Sequence, residues 1–333
     1  MNKLTFLLPL KDRPNYTKIW LSHNLQPEYD YFIADGSIGN ENEALFRELE
    51  FPNLTYVRFP KDLTIDRYVE KMLHAVSRVK TKYVMTCDND DFINFHGVAH
   101  CLKALENDPA AVCAGGPIYG VCKSENGILN PRYSFPAKIQ EVASLNDRSG
   151  IDALMYLFKN YGYMWYSIFR TEDYKKIWND IINLQVLDVF LIEILQAELT
   201  FCYGKYVHVK SNHYIRLLNA TTSAAREGIS NDIPHTHKIY FDDEYRRQVL
   251  KMSEYVAALV EVELVKLLNE FKFIYISNLL TASRIRARLW QLIVRSLIKS
   301  IPVLSFSIES VLALINISSR KAVWLDKFKG VRK

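Results

Sequence analysis

The sequence predicts an α/β protein, a doubly wound and mostly parallel sheet with a C-terminal helical extension. Two observations carry this expectation. From residue 4 to residue 121, short apolar runs alternate with segments whose apolar residues recur at helical spacing. Three polar clusters, Lys11–Arg13, Asp35–Ser37 and Asp88–Asp91, each follow directly on an apolar run. In doubly wound sheets, ligands collect beyond the carboxyl ends of the strands.

The elements follow in order. Leu4–Leu10 is a continuous apolar run ended by a Pro-containing turn, which suits a buried parallel strand. A helix over Asn15–Asn24 comes next, then a strand over Tyr31–Ala34 closed by the turn residues Asp35-Gly36-Ser37. Glu41–Leu49 reads as a helix and Leu54–Arg58 as a strand. In Thr64–Val79, Ile65, Val69, Met72, Leu73 and Val76 fall at helical spacing. Tyr83–Thr86 is a strand running into Cys-Asp-Asn-Asp-Asp. Val98–Asn107 is a helix, and Ala110–Val121 reads as one strand around a Gly-Gly pair. Further on, Asp152–Asn160, Thr171–Ile182 and Leu187–Leu199 look helical and Tyr206–Lys210 extended. Asn219–Pro234 has loop composition, and the chain is helical from Asp242 onward. The expected division is 1–240 for the sheet domain and 241–333 for a helical, basic region.

At 333 residues and 49% hydrophobic content the chain can bury a large core. Its five cysteines show no CxxC spacing, which argues against a zinc site or disulfide framework and for a cytoplasmic address. The N-terminal apolar run meets Lys11, Asp12 and Arg13 at once, so it reads as a strand and not as a signal peptide. Charge is uneven. From Arg284 to the end there are eleven Lys/Arg against two Asp/Glu, leaving 31 against 35 in the rest. Arg284, Arg288, Gln291, Arg295 and Lys299 share one helical stripe, with Ile285, Leu289, Leu292, Ile293 and Leu297 around it. Such a basic amphipathic helix suits an anionic membrane surface, with a homo-oligomer interface as the competing role. No nucleic-acid motif accompanies the charge. The expected location is therefore the inner face of the cell membrane, peripherally bound.

The sharpest chemical feature is Asp88-Asn89-Asp90-Asp91. Three carboxylates packed at a strand end raise one another's pKa unless a cation or donor neutralises them. Mn²⁺ or Mg²⁺ takes such hard oxygen ligands together with substrate phosphates. A solvated acidic turn with capping carboxylates fits the spacing as well.

The run TFLLPLKDRP, the IADGS turn and the CDNDDF segment together resemble the GT-A glycosyltransferases, specifically the family-2-like bacterial enzymes, over residues 3–215. That resemblance implies a nucleotide-sugar donor, UDP- or GDP-linked, and a glycan or lipid-linked acceptor in cell-surface polysaccharide or lipopolysaccharide assembly. It places Pro9, Lys11 and Arg13 at the nucleotide, Asp35 at the base and Asp88 at the ribose or donor sugar. Asp90 binds the metal that bridges the diphosphate. By the same resemblance His213 would be an added metal ligand, although a lone His is more often structural, and Arg216 three residues later can pair with the diphosphate because a guanidinium forks onto phosphate oxygens. The family's catalytic carboxylate at a helix start falls on Asp188, although Leu187 stands where a Glu is usual. An inverting transfer needs one carboxylate to take the acceptor's proton. Asp188 equally suits a helix N-cap, and Glu193 and Asp173 are further candidates. Trp165 and Tyr166 offer faces for a sugar ring or a place in the core. Two other classes fit part of the pattern. A nucleotidyltransferase would carry a Gly-rich loop after the first strand, which Lys11-Asp12-Arg13-Pro14 lacks. A non-catalytic, membrane-bound scaffold would have no need of Asp35, Asp88 and Asp90.

Overall fold

The computed structural model describes residues 2–123, 129–131, 138–140, 148, 150–159, 164–218, 238–239 and 242–271. They fall into two compact units. One is drawn from residues 1–154 and 162–232, the other from residues 155–161 and 233–333.

The first unit is built on strands β1 (Leu4–Leu10), β2 (Asp30–Asp35), β3 (Leu54–Arg58) and β4 (Tyr83–Thr86). They alternate with helices α1 (Pro14–Asn24), α2 (Glu41–Arg47) and α3 (Ile65–Arg78). All four strands run parallel, β1 between β2 and β4 and β2 between β1 and β3. β1 is buried along its length apart from half-buried Pro9, as a central parallel strand requires. Pro14 opens α1, where its missing N–H costs nothing. Val69, Met72, Ala75 and Val76 form the buried stripe of α3.

Beyond β4 come the two-residue β5 (Phe92–Ile93), α4 (Phe95–Asn107), β6 (Ala111–Gly115) and β7 (Ile118–Lys123). The sequence expectation of one strand over Ala110–Val121 is corrected here. The Gly115-Gly116 pair divides it, and β6 and β7 belong to different sheets. A Cβ on Gly116 would lie 1.9 Å from the Ser211 carbonyl oxygen, so the chain can turn there only with glycine. The remaining elements are β8 (Leu129–Pro131), β9 (Lys138–Gln140), α5 (Gly150–Lys159), β10 (Ile168–Arg170), α6 (Thr171–Asn183), α7 (Val189–Tyr203), β11 (Lys205–His208), β12 (Tyr214–Leu217) and α8 (Asp243–Leu259).

The main sheet has seven strands in the order β11-β6-β10-β4-β1-β2-β3. β10 is antiparallel to both its neighbours, and the other pairings are parallel. Arg170 secures this insertion. Its guanidinium donates to the carbonyls of Ala111 (2.7 Å), Leu105 (2.6 Å) and Asp108 (3.0 Å), closing the end of α4 as it does so. A second sheet, in the order β5-β12-β7-β8 with β9 on β7, stands beside the end of β4 through β5.

The ends of β1 and β2 are tied by a buried ion pair that sequence patterning does not reveal. Lys71 on α3 donates to the Leu10 carbonyl (3.0 Å) and to Asp62, with both side chains 2% exposed. Asp62 in turn donates its N–H to the Gly36 carbonyl (2.8 Å). A Cβ on Gly36 would sit 2.4 Å from the Asp62 carboxylate, so glycine is required by that approach. Burial pushes Lys71 down and Asp62 up from their ordinary pKa values, and each restrains the other.

In the second unit Phe158 meets Phe271 edge-on at 5.6 Å, and Lys159 pairs with Glu270 at 3.1 Å. A helical segment over 264–271 follows α8. No described helix is long and apolar enough to cross a membrane. The basic stripe from Arg284 to Lys299 and the segment 219–234 lie outside the described residues.

Lys71→Met tests the brace. Removing one member of a buried pair leaves the other charge uncompensated, at a cost of about 3–5 kcal/mol. Urea unfolding of the variant is expected to show a loss of that size. A loss below about 1 kcal/mol, within the range of exposed pairs, would show the pair to be dispensable.

Candidate functional site

The sheet reverses its winding between β1 and β4, and the acidic loop 88–91 lies at the carboxyl end of β4 at this switch point. One oxygen from each of Asp88, Asp90 and Asp91 can be chosen so that all three lie within 4.8 Å of one another. The loop is held from two sides. From α1, Asn24 Nδ2 donates to the Asp91 carbonyl (3.1 Å), and Asn24 Oδ1 accepts from Ile93 N–H (2.8 Å). Asn89 Nδ2 donates to Thr17 Oγ1 (2.9 Å). From β12, Leu217 N–H donates to Asp91 Oδ1 (2.8 Å), and the Tyr214 hydroxyl accepts from Asp88 N–H (2.9 Å).

Each carboxylate has its own surroundings. Asp88 Oδ2 accepts from the Tyr166 hydroxyl (2.7 Å), whose ring stacks on Tyr214 at 4.2 Å between centroids. Asp90 receives the Arg13 guanidinium as a fork, Nη1 to Oδ2 at 3.0 Å and Nη2 to Oδ1 at 3.2 Å. Arg13 also donates to Asn89. Asp91 is 3% exposed, and its Oδ2 accepts no hydrogen bond while Arg216 Nε stands 3.8 Å away. The Arg216 guanidinium lies over the Tyr166 ring, 5.4 Å from its centroid. Burial pushes the Asp88 carboxyl up, the Asp90 charge adds to this, and Tyr166, Arg216 and Arg13 oppose it. Asp91 is pushed well up by burial and then by Asp88 and Asp90. An orphaned, buried carboxylate oxygen within such a cluster suits a divalent cation with hard oxygen ligands.

No protein-family model and no curated protein sequence matches the chain. Solved structures do. The S. aureus TarS 1–349 crystal structure in complex with UDP-GlcNAc superposes with a TM-score of 0.54 at 12% identity, covering 82% of this chain and 71% of that one. The fold is that of the GT-A glycosyltransferases. The Pyrobaculum calidifontis mannosyltransferase PcManGT, in complex with GDP-Man and Mn²⁺, superposes over 98% of this chain and 85% of its own, at 12% identity and a TM-score of 0.48.

Within this GT-A fold, the residues singled out from the sequence fare differently. Arg13, Asp88, Asp90 and Arg216 converge on one site, joined by Asp91. Pro9 lies in β1 in register with Ala34, and Lys11 follows the end of that strand. Asp35 is 0% exposed and turned inward. Its Oδ1 accepts from Ser37 N–H (2.8 Å), and its Oδ2 accepts from the Tyr56 hydroxyl (2.6 Å) and Arg58 (2.8 Å). Arg58 also donates to the carbonyls of Ser37 (2.6 Å) and Gly39 (2.8 Å), so Asp35 acts here as the anchor of the 35–39 turn. Asp188 is the N-cap of α7, its Oδ1 accepting from Phe190 N–H (3.0 Å) and Leu191 N–H (3.2 Å).

The expectation for His213 needs correction. The ring is 1% exposed and both nitrogens are engaged by backbone groups. Nδ1 accepts from Gly116 N–H (2.9 Å), which leaves Nε2 to donate to the Tyr166 carbonyl (2.9 Å). A ring so engaged ties β12 to the segments before β7 and β10 and has no lone pair left for a metal. The acidic set that the fold assembles is Asp88, Asp90 and Asp91. Tyr214, Asn24 and Thr17 were not singled out by sequence reasoning. Their partners lie 67 to 126 residues away, and no local pattern carries that information.

Burial pushes the His213 imidazole down to about 4 from an ordinary 6.5. The folded ring therefore stays neutral where the unfolded chain already binds a proton. Stability from this residue is full above about pH 6.5 and falls as the pH drops toward 4, by on the order of 3 kcal/mol. The difference in unfolding free energy between the parent and His213→Gln is expected to narrow by that amount between pH 7 and pH 4. A pH-independent difference would mean that the folded state tolerates the protonated ring.

Proposed function

We propose that this protein transfers a sugar from a nucleotide-sugar donor, with inversion and with the help of Mn²⁺ or Mg²⁺, to a glycan or lipid-linked acceptor. The observation that carries the reading is the Asp88-Asp90-Asp91 cluster at the switch point of a GT-A sheet. TarS, which shares the fold, is described in complex with UDP-GlcNAc.

Asp90 and Asp91 would hold the cation, with Asp88 beside them, and the cation would offset the charge that builds on the departing nucleoside diphosphate. The chain's own groups supply the rest. Arg216 is fixed over the Tyr166 ring and near Asp91, so its guanidinium can fork onto phosphate oxygens without an ordering cost. Tyr166 holds Asp88 in one orientation, as a carboxylate facing a ribose or sugar hydroxyl must be held. Asp188 is assigned the proton from the attacking hydroxyl. The two N–H groups on its Oδ1 fix the carboxylate at the start of α7. Asp35 acts through the shape of the 35–39 turn, with Pro9 and Lys11 at the neighbouring strand end, so that the base rests against backbone. The basic stripe Arg284, Arg288, Arg295 and Lys299 would hold the enzyme on an anionic membrane surface, where a lipid-linked acceptor is presented.

Thermal melting with UDP, GDP, CDP and CMP, with and without Mn²⁺, tests the donor site by mass action. The parent is expected to be stabilised by UDP or GDP only with Mn²⁺, and Asp90→Ala is expected to lose that stabilisation. Stabilisation that persists in Asp90→Ala with chelator present would remove the metal from the account. Asp188→Asn is expected to slow transfer by roughly two to four orders of magnitude with little change in the nucleotide shift. An unchanged rate would pass the role of base to Glu193.

A further inference from the structure

The β1–α1 turn is strained, and the strain sets the direction of the Arg13 side chain. Asp12 and Arg13 are consecutive non-glycine residues in the left-handed region, with φ of 56° and 57°. Such residues are strained and persist only where their surroundings dictate them. Here three hydrogen bonds do so, all from the 37–42 segment. Asp12 N–H donates to Ser37 Oγ (2.7 Å), Ile38 N–H to Asp12 Oδ1 (2.9 Å), and Asn42 Nδ2 to the Asp12 carbonyl (2.9 Å). The outcome is the Arg13 guanidinium set fork-on to both oxygens of Asp90, in a pair whose side chains are 9% and 11% exposed. Each of those oxygens is one that a cation would use.

We propose that Arg13 is a resident counter-cation, a latch on Asp90 that a divalent ion must displace, so that metal entry is coupled to release of the β1–α1 turn. This deepens the donor-site reading and rests on it. The fold has a place for the released group. A cavity of about 520 Å³ beside the turn is lined by Arg13, Tyr16, Ser37 and Asn42 among others. Asn42 is 1% exposed, and its Oδ1 accepts no hydrogen bond in the latched arrangement. Arg13 already lies near the Tyr16 ring, 5.4 Å from its centroid, so a short swing keeps an aromatic face under the cation. In the latched arrangement Asp90 is paired without metal, while Asp91 keeps its unbonded oxygen. Once released, the guanidinium stands at the rim of the same site, where a donor's phosphates would arrive. An ion that enters alone must break the fork, and one that enters with a diphosphate gives Arg13 a new anionic partner. Cation and nucleotide are therefore expected to bind with positive coupling.

The test is direct Mn²⁺ binding, read from the electron paramagnetic resonance signal of the free ion. It uses the full chain, Arg13→Asn, Arg13→Lys and Asp90→Asn. Asn is tolerated in the left-handed region, which keeps the turn folded, and Lys keeps the charge while losing the fork. If the fork is closed in about nine molecules of ten, opening it permanently tightens Mn²⁺ binding about tenfold. Both Arg13 variants are expected to bind Mn²⁺ about tenfold more tightly than the parent, and Asp90→Asn is expected to bind it more weakly. Unchanged or weaker binding in both Arg13 variants would overturn the latch. So would tightening in Arg13→Asn alone, since that result would trace the effect to net charge. If no form binds Mn²⁺ while UDP or GDP still stabilises the parent, the latch fails and the nucleotide reading survives. If neither Mn²⁺ nor any nucleotide binds, the donor-site reading itself falls.

Discussion

Three carboxylates crowded at one strand end set the terms for the rest of the first unit. With oxygens of Asp88, Asp90 and Asp91 within 4.8 Å of one another, each like-charge pair costs about 3.5 kcal/mol or more at an effective dielectric constant near 20. The chain meets that cost with partners recruited from far along its length. Arg13 comes from the end of β1, Tyr166 from the approach to β10 and Arg216 from β12. A loop that was merely acidic would face water instead. This one is turned inward against Tyr214, Tyr166 and α1, and Asp91 keeps a buried oxygen that accepts no hydrogen bond. Such an arrangement stores electrostatic strain at a place where a cation or a cationic side chain relieves it, as expected for a site and not for a structural turn.

Rigidity is then supplied by braces that never touch the carboxylates. The Lys71–Asp62 pair fixes the end of β1 against the Gly36 turn. Arg58 and Tyr56 hold Asp35 and, through it, residues 35–39. His213 ties β12 to Gly116 and Tyr166, so the aromatic pair behind Asp88 cannot drift. Pre-organised charge of this kind is worth most when it need not rearrange as the reaction proceeds. The exception is the β1–α1 turn, where two left-handed residues hold Arg13 in a conformation that the local chain would not choose.

Much of the fold was legible because local patterns encode it. The expected strands Leu4–Leu10, Leu54–Arg58 and Tyr83–Thr86 agree with β1, β3 and β4 residue for residue. The acidic triplet was legible because its members are neighbours in sequence. The division of residues 110–121 between two sheets was not, since it depends on Gly116 meeting Ser211 nearly a hundred residues later. The second sheet was missed because β5 is two residues long and β12 carries Arg216 within its four residues and pairs with strands about a hundred residues earlier. His213 was placed at the metal by the family resemblance alone, with no local signal in the sequence for or against it. Only its two backbone partners, distant in sequence, reveal a structural ring. The part Asp35 plays in anchoring the 35–39 turn was equally hidden, as its partners Tyr56 and Arg58 sit on the neighbouring strand.

The central claim is that this geometry serves glycosyl transfer from a nucleotide sugar. Slow hydrolysis of the donor, with water in place of the acceptor, isolates that claim from the unknown acceptor. The parent protein, incubated with UDP- and GDP-linked sugars and Mn²⁺, is expected to release the free nucleoside diphosphate from one of them and to stop when the ion is chelated. Release of pyrophosphate from a nucleoside triphosphate and a sugar phosphate, with no nucleoside diphosphate from any donor, would contradict the account and point to a nucleotidyltransferase.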